Sequence, residues 1–198
     1  GGGAEKTLLK ICKISNSSNN IHSVISLQAN GLLLPDFQSN KIKVLNFNFK
    51  KNLFDVFEFI KLIVFIKKYK PSIVMTWLYH SDFIGLLLKF CFNNSFKLIW
   101  NIRCSDINFN NYSNITKYLF YILKKYSYMP NKIIFNSQKG KEFHLSKGFK
   151  NDSIEIIPNF IDIDYWKFDN KDRDKVRNKF MNSNNAFLIG NIGRYDPQ

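Results

Sequence analysis

The sequence predicts an α/β fold organised around a doubly wound, mostly parallel sheet. Residues 73–75, 98–100 and 133–135 form continuous apolar runs rather than alternating ones, which is typical of strands covered by helices on both faces. Segments with helical periodicity separate these runs, and strands joined by helices in this regular order are parallel with right-handed crossovers. Ligands bind such sheets beyond the carboxyl ends of the strands.

The helices are predicted from apolar residues spaced by three and four and from the Pro or Gly residues at segment ends. In the longest helix Phe54, Phe57, Ile60 and Val64 follow this spacing, and Pro71 comes directly after it. Helices are predicted over residues 4–13, 53–70, 81–92, 112–126, 139–147 and 172–181.

The strands are predicted from short apolar runs rich in Ile, Val, Leu and aromatic residues. They cover residues 23–27, 41–45, 73–76, 97–100, 132–135, 154–157 and 187–192. A loop is predicted around Asn30, Gly31 and Pro35, because these residue types favour turns.

The composition favours a folded cytoplasmic protein. Of the 198 residues, 45% are hydrophobic, which supplies a core and argues against intrinsic disorder. Cys12, Cys91 and Cys104 form an odd set without a C-x-x-C pair, so neither a disulfide framework nor a zinc knuckle is indicated. No apolar segment is long and uninterrupted enough to span a bilayer, and no signal peptide is recognisable.

The formal net charge of +14 raises the question of nucleic-acid binding, because lysine-rich surfaces attract phosphate backbones without regard to sequence. The lysines are scattered along the chain, however, and no zinc finger, RNA-recognition signature or helix-turn-helix is evident. Nucleic acid is therefore not the expected partner.

Polar residues follow the predicted strands at the edge where ligands are expected. His80 comes after the third strand, where it either hydrogen-bonds a substrate hydroxyl or packs in a loop ahead of Ser81, the predicted helix N-cap. Asn136 and Ser137 follow the fifth strand and either contact a ligand or cap the next helix. The two other histidines, His22 and His144, are expected to be structural.

Arg103 and Ser105 follow the fourth strand. The planar guanidinium of Arg103 is suited to clamping a phosphate or carboxylate, and the alternative is a salt bridge to Asp106 or Asp82. No His, Cys and Asp spacing of a metal site is present, so chemistry without a metal ion is expected.

Three glycines open the sequence, ahead of the first predicted helix. Gly2 and Gly3 would let the backbone approach a ligand and would turn free N–H groups toward a diphosphate. The alternative is a cloning remnant. The spacing is not that of a dinucleotide-binding loop, and no acidic residue ends the next strand, so NAD binding is disfavoured.

The predicted helix over residues 112–126 has two interpretations. Ile115 and Leu119 lie on one side of it and lysines lie elsewhere, a pattern that fits either a helix on an anionic membrane face or an ordinary sheet-covering helix.

Several segments, in order along the chain, are similar to motifs of the retaining glycosyltransferases of family 4, which have the two-domain GT-B fold. The matching segments are residues 2–5 (GGAE), 76–85 (TWLYHSDFIG), 100–106 (WNIRCSD), 136–149 (NSQKGKEFHLSKGF), 157–162 (IPNFID) and 190–198 (GNIGRYDPQ). Each match is loose by itself, but six in register are specific.

The resemblance implies that residues 1–159 form the acceptor-side Rossmann-like domain, lacking its first strand, and that residues 160–198 form a linker and the start of the donor-binding domain. It implies transfer of a sugar from a nucleotide diphosphate sugar, with retention, to a glycan or lipid-linked acceptor. Gly2 and Gly3 would face the donor, His80 would contact its sugar as the catalytic residue, and Arg194 would bind the diphosphate.

The resemblance also places Arg103, Ser105, Asn136 and Ser137 on the acceptor side. No metal cofactor is expected, and the protein is expected in the cytoplasm, with possible peripheral contact with the inner face of an anionic membrane. The 198 residues alone are expected not to catalyse. Phe160 stands where the family has a hinge glycine, which makes a turn with positive φ doubtful there.

Two other function classes remain open from the residues. One is a non-catalytic Rossmann-like module that binds anionic polymers through its basic surface. The other is a dinucleotide-dependent oxidoreductase, which the glycine spacing disfavours.

Overall fold

The computed structural model describes residues 2–16, 22–28, 31–49, 55–93, 95–105, 113–161, 163–180 and 187–191. The chain divides into two compact units, Gly1–Asn159 and Phe160–Gln198. The first unit contains both parallel sheets and the helices that cover them.

Helices and strands alternate through the first unit. In chain order they are α1 (Gly3–Asn16), β1 (Ser23–Ser26), α2 (Leu34–Ser39), β2 (Lys43–Asn46), α3 (Val56–Tyr69), β3 (Ile73–Trp77), α4 (Tyr79–Phe92), β4 (Lys97–Ile102), α5 (Asn114–Lys125), β5 (Lys132–Phe135), α6 (Gln138–Ser146) and β6 (Ile154–Ile156).

The described strands form two parallel sheets. One contains β1 and β2, and the other has the strand order β3-β4-β5-β6. In the larger sheet Trp77 is paired with Asn101, and Phe135 is paired with both Ile102 and Ile156. Because all four strands are parallel, their carboxyl ends lie at one edge.

The main core lies between the larger sheet and its helices. Leu98 and Trp100 of β4 and Phe135 of β5 are completely buried, together with Leu123 of α5. These strands are apolar on consecutive residues because both of their faces are covered. A smaller cluster is formed by Leu9, Cys12, Phe37 and Ile42.

The α/β class with parallel sheets is confirmed, but several local predictions are wrong. Pro35 lies in the short helix α2 rather than in a loop, because Pro is well tolerated in the first turn of a helix. No strand forms over residues 187–191, the described part of the predicted strand 187–192. Helix α4 begins at Tyr79, so Ser81 is not its N-cap.

The second unit contains α7 (Asn170–Phe180). The Asp169 side chain accepts a hydrogen bond from the Asp172 backbone N–H at 3.1 Å, as expected at a helix N-terminus. Phe160 is not among the described residues with positive φ, so this hinge position is not strained in that way.

Three further features concern the described part of the chain. None of its helices is long and apolar enough to cross a membrane. Cys12, Cys91 and Cys104 form no disulfide within these residues. The prediction that His22 and His144 are structural agrees with their contacts: His22 is bonded to the Ser15 hydroxyl at 2.7 Å, and His144 is completely buried.

Candidate active site

Arg103 contacts residues near the carboxyl ends of three strands of the larger sheet, β3, β4 and β6. Its guanidinium lies 5.1 Å from the centre of the Trp77 ring, which ends β3, and donates to Oδ1 of Asn101 in β4 at 3.4 Å. It also donates to Oδ1 of Asn159, beyond β6. Burial lowers the pKa of Arg103, but the guanidinium remains charged at neutral pH.

Asp82 does not form the alternative salt bridge with Arg103 that the sequence left open. That carboxyl group is completely buried and accepts from Thr76 Oγ1 at 2.5 Å. The other proposed partner, Asp106, lies outside the described residues. Asn159 was identified from the sequence only as part of a hinge motif, and its contact with Arg103 links positions 56 residues apart.

Ser105 and Ser137 lie side by side at the ends of β4 and β5. Their hydroxyl oxygens are 3.4 Å apart. Ser137 is also the N-cap of α6, because its Oγ accepts from the Gly140 N–H at 3.0 Å. A Cβ at Gly140 would lie 2.9 Å from the carbonyl oxygen of Cys104, so only glycine permits this close approach of α6 to the β4 loop.

Asn136 carries an unsatisfied acceptor next to this serine pair. Its Oδ1 atom is buried and has no hydrogen-bond partner among the described residues. A buried polar atom without a partner costs free energy. A ligand would satisfy it only after the Asn136 side chain moves, because the atom is buried in this structure.

His80 lies in the first turn of α4 and lines a cavity of about 300 Å³. Ala4 and Glu5 of α1, Ser26 of β1 and Trp77 contribute to the same wall. The His80 side chain is exposed, yet the surrounding protein lowers its pKa by desolvation. The imidazole is therefore neutral at pH 7 and has one N–H donor and one acceptor.

Trp77 contacts both parts of the site, the cavity beside His80 and the polar residues at the carboxyl ends of the strands. Its ring lies under Arg103 and also contributes to the cavity wall beside His80. The structure thus brings His80, Arg103 and Ser137 to the same edge of the sheet.

Gly2 and Gly3 lie at the start of α1, next to the cavity residues Ala4 and Glu5. The Gly2 N–H donates to the Glu5 carboxylate at 2.9 Å. A Cβ at either glycine would meet nothing within 4 Å. Packing within the chain therefore does not explain these glycines. Arg194 lies outside the described residues.

Leu78 holds a strained backbone between β3 and His80. Its φ of 72° and ψ of 154° lie in a region that is almost restricted to glycine. The Leu78 carbonyl accepts from the Asp82 N–H at 3.0 Å, which ties this conformation to the first turn of α4. Nothing in the sequence indicates it, because leucine is not a residue type associated with positive φ.

Replacing Leu78 by glycine is expected to raise the free energy of unfolding by about 1 kcal/mol. Relief of the strain should outweigh the greater chain entropy that glycine gives to the unfolded state. Urea unfolding of the wild type and the variant measures the change. The matched control is Leu32→Gly at an exposed leucine without positive φ, which should destabilise. Equal destabilisation by both substitutions would contradict the conclusion that the Leu78 backbone is strained.

A buried hydrogen-bond chain fixes the start of α4 against α6. The Tyr79 hydroxyl and His144 Nε2 are 2.6 Å apart, and His144 Nδ1 and the Gly140 carbonyl oxygen are 2.7 Å apart. Burial lowers the pKa of His144 to about 4, so its ring is neutral at pH 7. Nδ1–H then donates to the carbonyl, and the tyrosine hydroxyl donates to Nε2.

This chain of bonds links the two parts of the site. Tyr79 directly precedes His80, and Gly140 lies in the first turn of the helix that Ser137 caps. A movement of α6 would therefore disturb the helix turn that carries His80. Among the described residues no group of three or more His, Cys, Asp or Glu side chains is placed to hold a metal ion.

Comparison with known proteins identifies the family. The model of Glycosyltransferase Family 4 matches residues 1–165. No protein of curated function is detectably similar to the sequence.

Two solved structures share the fold. One is Anabaena HepE in complex with UDP and glucose, with a TM-score of 0.68, 18% identity and coverage of 90% of this chain and 46% of that one. The other is a glycosyltransferase from Rickettsia africae ESF-5, with a TM-score of 0.65, 20% identity and the same coverage of 90% and 46%. The chain thus spans about half the length of these structures, and it belongs to Glycosyltransferase Family 4.

Proposed function

We propose that the full-length protein transfers a sugar from a nucleoside diphosphate sugar to an acceptor, with retention at the anomeric carbon. The observation that supports this most strongly is the placement of His80, Arg103 and Ser137 at the carboxyl edge of one parallel sheet, where such folds bind ligands. Family membership supports sugar transfer, and the complex of HepE with UDP and glucose supports a nucleotide sugar as donor.

The donor lies against the His80 cavity in this proposal. The neutral imidazole of His80 exchanges hydrogen bonds with hydroxyls of the donor sugar and acts as the catalytic residue. Gly2 and Gly3 face the diphosphate, since open space around their Cα atoms leaves room for a ligand to approach the backbone. Arg194 is proposed to bind the same diphosphate.

The acceptor lies along the ends of β4 and β5. Ser105 and Ser137 offer two hydroxyls to it. The unsatisfied Oδ1 of Asn136 is buried, so it accepts a hydrogen bond from an acceptor hydroxyl only after its side chain turns toward the acceptor. Arg103 is held by Trp77 and Asn159, so its remaining N–H groups are already oriented for an acceptor oxygen.

The reaction needs little beyond positioning and charge stabilisation. The bond between the anomeric carbon and a diphosphate oxygen breaks, the acceptor hydroxyl oxygen bonds to that carbon, and its proton passes to the departing diphosphate. Backbone N–H groups, a helix terminus and an arginine side chain can stabilise the departing diphosphate. We therefore propose that no metal ion is required.

The acceptor is proposed to be a glycan or lipid-linked sugar of a surface polysaccharide pathway. The lipid chain of a lipid-linked acceptor holds it in a bilayer, and the protein carries a net charge of +14. Peripheral contact with the anionic inner face of a membrane follows from these two points.

The experiment is a donor screen with the full-length protein. We expect one nucleoside diphosphate sugar to give acceptor-dependent release of the nucleoside diphosphate, and NMR of the product to show the anomeric configuration of the donor. A product with the opposite anomeric configuration would contradict the proposal of retention but not the proposal of sugar transfer. Salt-dependent binding of polyanions without turnover of any donor would instead favour the binding-module alternative.

A further inference from the structure

Helix α3 has two apolar faces, and only one of them packs against the protein. Leu62 and Ile66 are buried in the main core. On the opposite side Phe57 is 78% exposed, Ile60 is 51% exposed and Val64 is 60% exposed. The apolar residues whose spacing predicts this helix therefore lie on its solvent-exposed side. A helix that covers a sheet normally presents polar residues there.

Lysines share this exposed side of α3. Spacings of three and four place Lys61, Lys67 and Lys68 among the three apolar side chains, and we call these six residues the α3 outer face. Lys61 is bonded to Glu58 at 2.7 Å. Lys67 and Lys68 have no ion-pair partner within the described ranges of the chain.

A mostly apolar hollow adjoins the C-terminal end of the same helix. It has a volume of about 220 Å³ and is lined by Ile66, Pro71 and Phe92, with Lys67 and Lys70 in its wall. Lys67 belongs both to this hollow and to the α3 outer face. The exposed apolar surface of the α3 outer face therefore continues past Lys67 into this cavity.

The charges on the α3 outer face distinguish between its candidate partners. A symmetric dimer would place the α3 outer face of one copy against the same face of the other, and its six residues include three lysines but no acidic residue to pair with them. An anionic lipid surface accepts both features at once, since large apolar side chains enter the boundary between headgroups and acyl chains and lysines remain at the phosphates.

We propose that the α3 outer face is the surface through which the protein binds an anionic phospholipid bilayer. This inference rests on the membrane contact proposed above and names the surface that makes it. Phe57, Ile60 and Val64 supply the apolar contact, and Lys67 and Lys68 supply the electrostatic attraction. Helix α5, the helix suggested by the sequence, exposes chiefly tyrosines, Tyr118 and Tyr121.

The experiment is flotation of the 198-residue protein with vesicles of phosphatidylcholine alone or mixed with phosphatidylglycerol. We expect binding only to the mixed vesicles and weaker binding at high salt. The triple variant F57S/I60S/V64S should lose binding by about a hundredfold, because it removes most of the inserted apolar surface. The double variant K67Q/K68Q should lose about tenfold.

Two matched controls accompany these variants. Y118S/Y121S removes exposed aromatic residues from α5, and K6Q/K13Q removes two exposed lysines from α1. Both should bind as the wild type does. Circular dichroism should show unchanged unfolding midpoints for all four variants, since every altered side chain is exposed.

The possible results distinguish failure of the α3 proposal from failure of the proposed membrane contact and of the proposed sugar transfer. Loss of binding in Y118S/Y121S but not in F57S/I60S/V64S would overturn the α3 assignment and leave the membrane contact standing. Absence of binding to either vesicle would overturn both, while the donor screen would still test sugar transfer independently. If F57S/I60S/V64S only converted a dimer into a monomer in sedimentation, the face would be a self-interface and the proposal would be wrong.

Discussion

Replacing His144 by alanine is expected to lower the free energy of unfolding by about 3–5 kcal/mol. The imidazole is completely buried, and its centre lies 5.0 Å from that of Phe149 and 5.1 Å from that of Phe135. Alanine would leave a cavity among these rings. It would also remove the buried hydrogen bond between the Tyr79 hydroxyl and His144 Nε2. Few single substitutions combine both costs.

Urea unfolding followed by circular dichroism measures this loss. Because His144→Ala removes a large part of a typical domain's stability, a gentler variant keeps the prediction testable. Tyr79→Phe preserves the ring but removes the hydroxyl that donates to Nε2, and it should cost about 1–3 kcal/mol. Wild-type midpoints in both variants would contradict the buried bond.

Replacing Asp82 by asparagine is expected to change how stability depends on pH. Burial raises the pKa of Asp82 from 3.8 to about 7, while the hydrogen bond from Thr76 opposes the rise. The folded protein therefore holds this proton more tightly than the unfolded chain. The contribution of Asp82 to stability falls as pH rises from about 4 to about 7, by roughly 4 kcal/mol.

His144 acts in the opposite direction. Its pKa is lowered from 6.5 to about 4. As pH falls, the unfolded chain therefore binds this proton at a higher pH than the folded protein does. The contribution of His144 falls by roughly 3 kcal/mol as pH drops from about 6.5 to about 4. The two effects partly cancel in the wild type between pH 4 and 6.5, and Asp82→Asn should expose the His144 effect alone.

Unfolding of Asp82→Asn between pH 4 and 8 tests this expectation. The variant should gain stability as pH rises to about 6.5 and should exceed the wild type by about 2 kcal/mol at pH 8, where the wild type buries a carboxylate. Asp36→Asn, at an exposed position in α2, is the control and should follow the wild type. If the curves of Asp82→Asn and the wild type had the same shape, Asp82 would not titrate as described.

The strands of the larger sheet could be predicted because their sequences are locally unambiguous. Residues 132–135 form β5 as predicted, since an apolar run bounded by polar and turn residues leaves no alternative. Strand β4 extends beyond the predicted end at Trp100 to Ile102. The polar residue Asn101 suggested an earlier end, but it is buried.

The orientation of α3 could not be read from its sequence. Both sides of the helix are apolar, so the spacing of Phe57, Ile60 and Val64 predicts a helix without saying which side packs. The structure buries Leu62 and Ile66 instead. Periodicity identifies a helix, and only tertiary contacts select its inner face when two stripes compete.

The polar edge of the site was predictable in position but not in detail. The rule that ligands bind beyond the carboxyl ends of parallel strands selects His80, Arg103 and Ser137 from the sequence. It does not reveal that Asn159 holds Arg103 or that Leu78 is strained. The first depends on a contact distant in sequence, and the second depends on a backbone angle that leucine rarely adopts.

The most direct test of the account is the turnover of His80→Ala in the full-length protein, with the donor that the wild type uses. Histidine roles of this kind contribute about a hundredfold or more to rate, so we predict a loss of kcat by about this factor. The matched variant His22→Ala, at the histidine bonded to Ser15, should keep wild-type turnover. Unchanged kcat in His80→Ala would contradict the proposal that the sugar is transferred at this edge of the sheet.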